Sequence, residues 1–201
     1  MTNSFRKLMH RSWDPRVAAV MQRAKVRDSF VLLAALLVVL GVIIHGIQLW
    51  PLLPDKVPAR WLSLSTFLSS LTQLPLVPKT VASVFGEIAL GFFLLPLYWF
   101  LIQSNLLSAM MTWMRSQSVQ FKSEYLAALE VCFLNDFFTW FVSWIALKFA
   151  IDTQQLWYLS LHRNASSLTS SLNLMTVIAV FGFLFSFAFN WYRLSRLDLG
   201  K

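Results

Sequence analysis

Two carboxylates, Glu130 and Asp136, stand in the run "EVCFLNDFFTW", where only Asn135 and Thr139 otherwise interrupt side chains suited to lipid. Inside a membrane such a carboxyl handles a proton, an ion or a substrate, or it makes a structural hydrogen bond between helices. Spacing narrows its surroundings. Ala128, Cys132, Asp136, Thr139 and Ser143 follow one another at steps of three or four, so a helix gathers them into one small and polar stripe. Phe133, Phe137, Phe141 and Trp144 cover other directions. Small, hydrogen-bonding stripes form helix–helix contacts in membranes, so Asp136 is expected to face protein. Glu130, six positions earlier, lies about 120° away around the helix and is placed to snorkel toward the near surface.

A span beginning near Tyr125 puts Asp136 about 17 Å from its cytoplasmic end. The antiparallel second span reaches that depth near Pro96, which donates nothing to the Phe92 carbonyl and leaves an acceptor open. A protonated Asp136 is expected to donate to that carbonyl, to Tyr98 or to a hydroxyl. No Lys or Arg falls inside the spans drawn below, so no ion pair is expected and Asp136 is read as neutral. By the same arithmetic His45 and Glu87 sit at matching depths and are expected to pair.

Other chemistry is not written in the chain. There is no His–Glu zinc pair, no serine nucleophile with a base at a recognisable spacing, no Gly-rich phosphate loop and no haem pattern. Cys132 is single, and His10, His45 and His162 are scattered. The expectation is a non-enzymatic protein with no catalytic residues, no metal and no cofactor.

The elements that position these residues follow from composition. Of 201 residues 57% are hydrophobic and 13% charged, with eighteen Phe and nine Trp. Soluble domains hold about 25% charged residues, and a core of this size cannot hide so many aromatics. The fold class expected is all-α and polytopic, in one membrane domain over residues 29–201. Its four spans are expected at about 29–50, 82–105, 125–147 and 172–192, each near the roughly 20 residues that cross the hydrocarbon. Ahead of it, residues 1–28 carry Arg6, Lys7, Arg11, Arg16, Arg23, Lys25 and Arg27 beside a loose apolar stripe. Asp14 and Pro15 read as a helix start. This segment is expected to lie as a basic amphipathic helix on anionic lipid headgroups, its seven cations being the lipid contacts. The alternatives are a basic tail that sets topology and a mitochondrial presequence.

Between the first two spans, "WLSLSTFLSSLTQL" (61–74) sets an apolar stripe against a Ser/Thr face and is expected as an interfacial helix. Charge counting supports four spans. The segments assigned to the inside hold seven, two and three Lys/Arg and those outside three and two, twelve against five. Both termini are expected in the cytoplasm, in a bacterial inner membrane, or in an organelle membrane if the source is eukaryotic. The net charge of +8 flanks apolar runs and forms no aromatic-interleaved patch, so lipid and not nucleic acid is the expected partner.

The pieces "DPRVAAVMQRAKVRDSF", "FFLLPLYWF", "FKSEYLAALEVCF" and "FAFNWYRLSRL" together resemble the Yip family of Ypt/Rab-interacting membrane proteins, in its short proteobacterial form. The turn "RSQSVQ" stands where that family often has Gly-Gly, and "LNDFF" where it often has a proline. The resemblance implies a multi-spanning adaptor without catalytic residues. Three functions follow from the sequence: a scaffold, accessory subunit or assembly factor bound to other membrane proteins; a small transporter or proton-coupled component centred on Asp136; or a supernumerary subunit of a respiratory or photosynthetic complex.

Overall fold

The computed structural model of the chain describes residues 14–58, 74–104, 124–162 and 166–198. Helix α1, Pro15–Leu49, starts at the Asp-Pro signal. The Arg16 N–H donates to Asp14 Oδ1 at 2.7 Å and the Ala18 N–H to the Asp14 carbonyl at 2.9 Å. Asp14 thus caps the first turn, and Pro15 occupies a position where its missing N–H costs nothing. The helix then continues for 35 residues. A surface helix separate from the first span is therefore corrected: from Pro15 onward the basic segment and the span are one rod. The cause is a continuous stripe. Val17, Met21, Ala24, Asp28, Leu32, Ala35 and Val39 recur at steps of three and four and are all buried. Arg6, Lys7 and Arg11 lie outside the described residues.

A 3₁₀ turn, Trp50–Leu52, ends α1 and leads to strand β1, Lys56–Pro58. Strand β2, Leu76–Pro78, pairs with it antiparallel, Val57 opposite Val77. Lys79 follows and donates from Nζ to the Leu53 carbonyl at 2.7 Å, with its ammonium 5.6 Å from the Trp50 ring. A cation here meets the carbonyls that the end of α1 leaves open. The interfacial helix expected over 61–74 falls outside the described residues, Leu74 apart.

Helix α2, Val81–Gln103, lies within two residues of the expected second span. Thr80 and Ser83 open it reciprocally: Ser83 N–H donates to Thr80 Oγ1 at 3.1 Å and Thr80 N–H to Ser83 Oγ at 2.8 Å. Pro96 sits inside this helix. Helix α3, Glu124–Ser160, runs 37 residues and so passes Leu147, where the third span was expected to end in a loop. Its later polar side chains explain the extension. Lys148 pairs with Asp152 one turn on, and Asp152, Thr153 and Gln155 are buried in protein. The helix closes at His162, whose φ of 52° gives the left-handed exit that lets its N–H reach the Leu159 carbonyl at 3.1 Å. Helix α4, Ser166–Asp198, contains the fourth span.

The described residues hold four helices long and apolar enough to cross a membrane. The chain is an all-α polytopic protein. Leu37, Phe93, Phe181 and Phe185 are between 60% and 72% exposed, a surface made for lipid or for other apolar chains and not for water.

The chain packs as two compact units, one of Met1–Leu32, Pro96–Phe141 and Ala179–Lys201, the other of Leu33–Leu95 and Val142–Ile178. The second is centred on Leu49, Leu53, Val57, Val84 and Trp157. Trp157 donates from Nε1 to the Val84 carbonyl at 3.1 Å and meets Phe85 edge-on. In the same unit a Cβ on Gly91 would lie 3.1 Å from the Ala146 backbone, so glycine allows α2 and α3 to approach closely.

Candidate functional site

In the first unit α1 and α3 run parallel. Val17, Val20, Met21 and Ala24 pack with Ala128, Leu129, Val131 and Cys132, and Leu194 of α4 closes the cluster. One turn further along both helices the stripe becomes charged, with Asp28 and Asp136 both fully buried. Between them lies Arg27. Its Nη2 donates to Asp28 Oδ1 at 3.0 Å and to Asp136 Oδ1, and its Nη1 donates to the Ser186 carbonyl at 3.4 Å. Asn190 Nδ2 donates to Asp136 Oδ2 at 2.8 Å. Arg27 and Asp136 are 109 residues apart in sequence, so the guanidinium and the amide tie α1, α3 and α4 together.

This arrangement corrects the expectation that no cation reaches Asp136. Arg27 precedes the apolar run by two positions, but α1 has no break there. Its long side chain turns toward α3 instead of reaching for headgroups. Asp136 stands level with residues 27 and 28, and on α2 Gln103 donates to Ser29 Oγ at 3.0 Å, as Trp99 Nε1 does at 3.2 Å. Along the helices the cluster is level with the expected start of span one and with the last turns of α2, from Tyr98 to Gln103. The Phe92 carbonyl is not needed to hold Asp136; Tyr98 donates to the Asn135 carbonyl at 3.3 Å.

The remaining candidates are distributed. Cys132 and Thr139 are buried in the same unit as Asp136. Ser143, Glu87 and His45 belong to the other unit, where Ser143 and Glu87 are buried and His45 Nε2 lies 3.5 Å from Tyr158 Oη. Arg16 and Arg23 are exposed and Lys25 half-buried, so these three keep access to the surroundings. Glu130 is half-buried.

Sequence reasoning passed over Asp28, Ser186 and Asn190. The signal was there. Gly182, Ser186, Asn190 and Leu194 repeat every four residues through "FGFLFSFAFNWYRL", and this small and polar line is the inward face of α4. The Trp140 ring packs against Gly182 and its Nε1 donates to Ser186 Oγ at 3.2 Å. Asp28 continues the Val17–Met21–Ala24 stripe by one more turn.

Chemically, the site offers two carboxyls, one guanidinium and an amide, with no nucleophile activated by a base. Among the described residues no three His, Cys, Asp or Glu side chains gather to hold a metal. Comparison with protein-family models, with characterised proteins and with solved structures found no significant match for this chain.

Proposed function

We propose that this chain is a non-enzymatic integral membrane protein acting as a scaffold, accessory subunit or assembly factor, with membrane proteins and anionic lipids as its partners. One observation carries this reading. The chain's own groups occupy the buried carboxylate that first suggested chemistry: Asp136 accepts from Arg27 on one oxygen and from Asn190 on the other. A polar contact of this kind, tying three helices through Asp136, fixes their register. Meanwhile the most apolar stretch of α4 is only 6% buried within the chain, which leaves a broad aromatic face for lipid or partner helices. A Yip-type adaptor role is part of the same proposal and rests on the sequence resemblance.

The expected result is that the chain, purified in mild detergent, retains one or more membrane proteins in fixed ratio. Asp136→Asn, which keeps a hydrogen-bonding group of nearly the same volume, should leave that ratio and cellular function intact. A chain that purifies alone, with a stable Asn variant that has lost function, would overturn the proposal in favour of proton coupling at Asp136.

The orientation proposed is cytoplasmic for both termini and for the turn near residues 115–122, on the twelve-to-five excess of positive charge. Single cysteines at Ser4, Ser118 and Ser166, in a Cys132→Ser background, are to be labelled with an impermeant thiol reagent in intact cells. Labelling is expected at position 166 alone. Reaction at 4 or 118 would reverse or break the four-span topology.

A further inference from the structure

The buried charges do not balance. Asp28 and Asp136 have only Arg27 in direct salt-bridge contact among the described residues, and both aspartates are fully buried. Asp28 Oδ2 is itself buried and accepts from no N–H or hydroxyl group. The Asp136 carboxyl is its neighbour across the helix contact, since Arg27 Nη2 touches Oδ1 of both aspartates. Arg27 bridges the two Oδ1 atoms and Asn190 serves Asp136 Oδ2, so the hydrogen still missing is one for Asp28 Oδ2, and a carboxylate beside it offers acceptors only.

We infer that Asp28 and Asp136 form a proton-binding site, one hydrogen shared between Asp28 Oδ2 and the Asp136 carboxyl while Arg27 Nη2 holds Oδ1 of each and Asn190 holds Asp136 Oδ2. The proton supplies the donor that Asp28 Oδ2 lacks and removes the surplus negative charge. The cluster then holds one carboxylate, one carboxylic acid and one guanidinium, and is neutral. Binding is a simple proton equilibrium: Asp136 O–H donates to Asp28, and on release the proton passes to water with no change of oxidation state.

The other ionisable groups near the pair are Tyr98 on α2 and Cys132 on α3, both of which feel the charge of Asp28 and Asp136, with Lys25 of α1 acting on Cys132; α4 contributes the neutral Ser186 and Asn190. None of these delivers a second positive charge to the carboxyl pair. A divalent ion is disfavoured by the guanidinium already seated between the carboxyls and by the absence of a third acidic ligand among the described residues. This site goes beyond the scaffold reading and does not depend on it, because its test reads the carboxyl directly.

The test is infrared spectroscopy of the purified full chain in lipid nanodiscs near neutral pH. A protonated carboxylic acid has a carbonyl stretch that a carboxylate lacks. The wild type should show such a band, it should move when the chain is made with carboxyl-¹³C aspartate, and it should be the same in potassium and in choline buffer. Asp28→Asn and Asp136→Asn should each abolish it, because the carboxyl that remains is matched one-to-one with Arg27. Asp55→Asn, remote in sequence, should retain it. If either Asn variant fails to fold, Asp136→Glu replaces it: the shared acid then spans one aspartate and one glutamate, and the labelled aspartate band should weaken. Three results would overturn the site. These are no aspartic acid band in the wild type, a band of full strength in every variant, or a band seen only when alkali ions are replaced by choline. The last would make the ligand an alkali cation.

Discussion

Replacing Arg27 with methionine is expected to destabilise the folded chain by about 3–5 kcal/mol, the range for removing one partner of a buried ion pair. Arg27 is the only cation in salt-bridge contact with Asp28 and Asp136 among the described residues, and it also serves the Ser186 carbonyl. Its side chain is 26% exposed, so water relieves part of the loss and the lower end of the range applies. Proton uptake by the stranded carboxyls relieves more of it, so the deficit should shrink as pH falls. Arg27→Lys should be intermediate, since an ammonium keeps the charge but cannot fork across two carboxyls and a carbonyl. Asp136→Asn leaves Arg27 matched with Asp28 and should cost about 1 kcal/mol, the worth of an ordinary hydrogen bond. Arg16→Gln and Arg23→Gln, at exposed positions, should stay within about 0.5 kcal/mol. Unfolding by SDS titration from mixed micelles gives the order. An Arg27→Met variant as stable as the Arg23→Gln variant would mean that the ion pair contributes nothing to the fold.

The second large effect belongs to the other unit. Trp157→Ala should cost about 3–5 kcal/mol, as large-to-small changes of buried aromatics do. Trp157 is 2% exposed, packs edge-on against Phe85 with ring centroids 5.5 Å apart, and donates to the Val84 carbonyl. Between membrane helices such packing and hydrogen bonding carry the stability, because lipid is as apolar as the core. The Trp157 ring sits over Gly46, and a Cβ there would also lie 2.7 Å from Phe85 Cε1. Neither ring retreats without losing its partner, so Gly46→Ala should cost about 1–3 kcal/mol through overpacking. In the Trp157→Ala background the obstacle is largely gone and the better helix propensity of alanine, about 0.5–1 kcal/mol, should reduce or reverse that cost. The same SDS titration run as a double-mutant cycle checks this. Simple addition of the two single losses would show that Gly46 and Trp157 do not meet.

Periodicity and capping made the helices legible. Asp14–Pro15 marked the start of α1, and the stripe through Cys132, Asp136 and Thr139 identified the buried face of α3 before its neighbours were known. The ends of spans were less legible, for a physical reason. Hydropathy registers where side chains turn polar, whereas a helix continues as long as those side chains find partners. Lys148 and Asp152 find each other, so α3 passes Leu147. Arg27 finds Asp28 and Asp136, so α1 has no elbow at Ser29. Partner identity was the least legible, because Arg27, Asp136 and Asn190 come from distant parts of the chain and only the parallel register of α1 and α3 brings the first two level.

Adjacency of Arg27 and Asp28 has a consequence for how the protein is made. A ribosome delivers α1 long before α3, and an arginine entering a bilayer alone is expensive. Asp28, one position on, is available as a counter-ion from the moment both residues leave the ribosome, and Arg27 Nε and Nη2 both reach its Oδ1. Asp136 follows only after a further 108 residues and Asn190 another 54 after that. The first helix can therefore wait in the insertion machinery as a locally neutral segment. The clasp closes in order of synthesis, with Asp136 recruited by a guanidinium already in place and Asn190 locking it last.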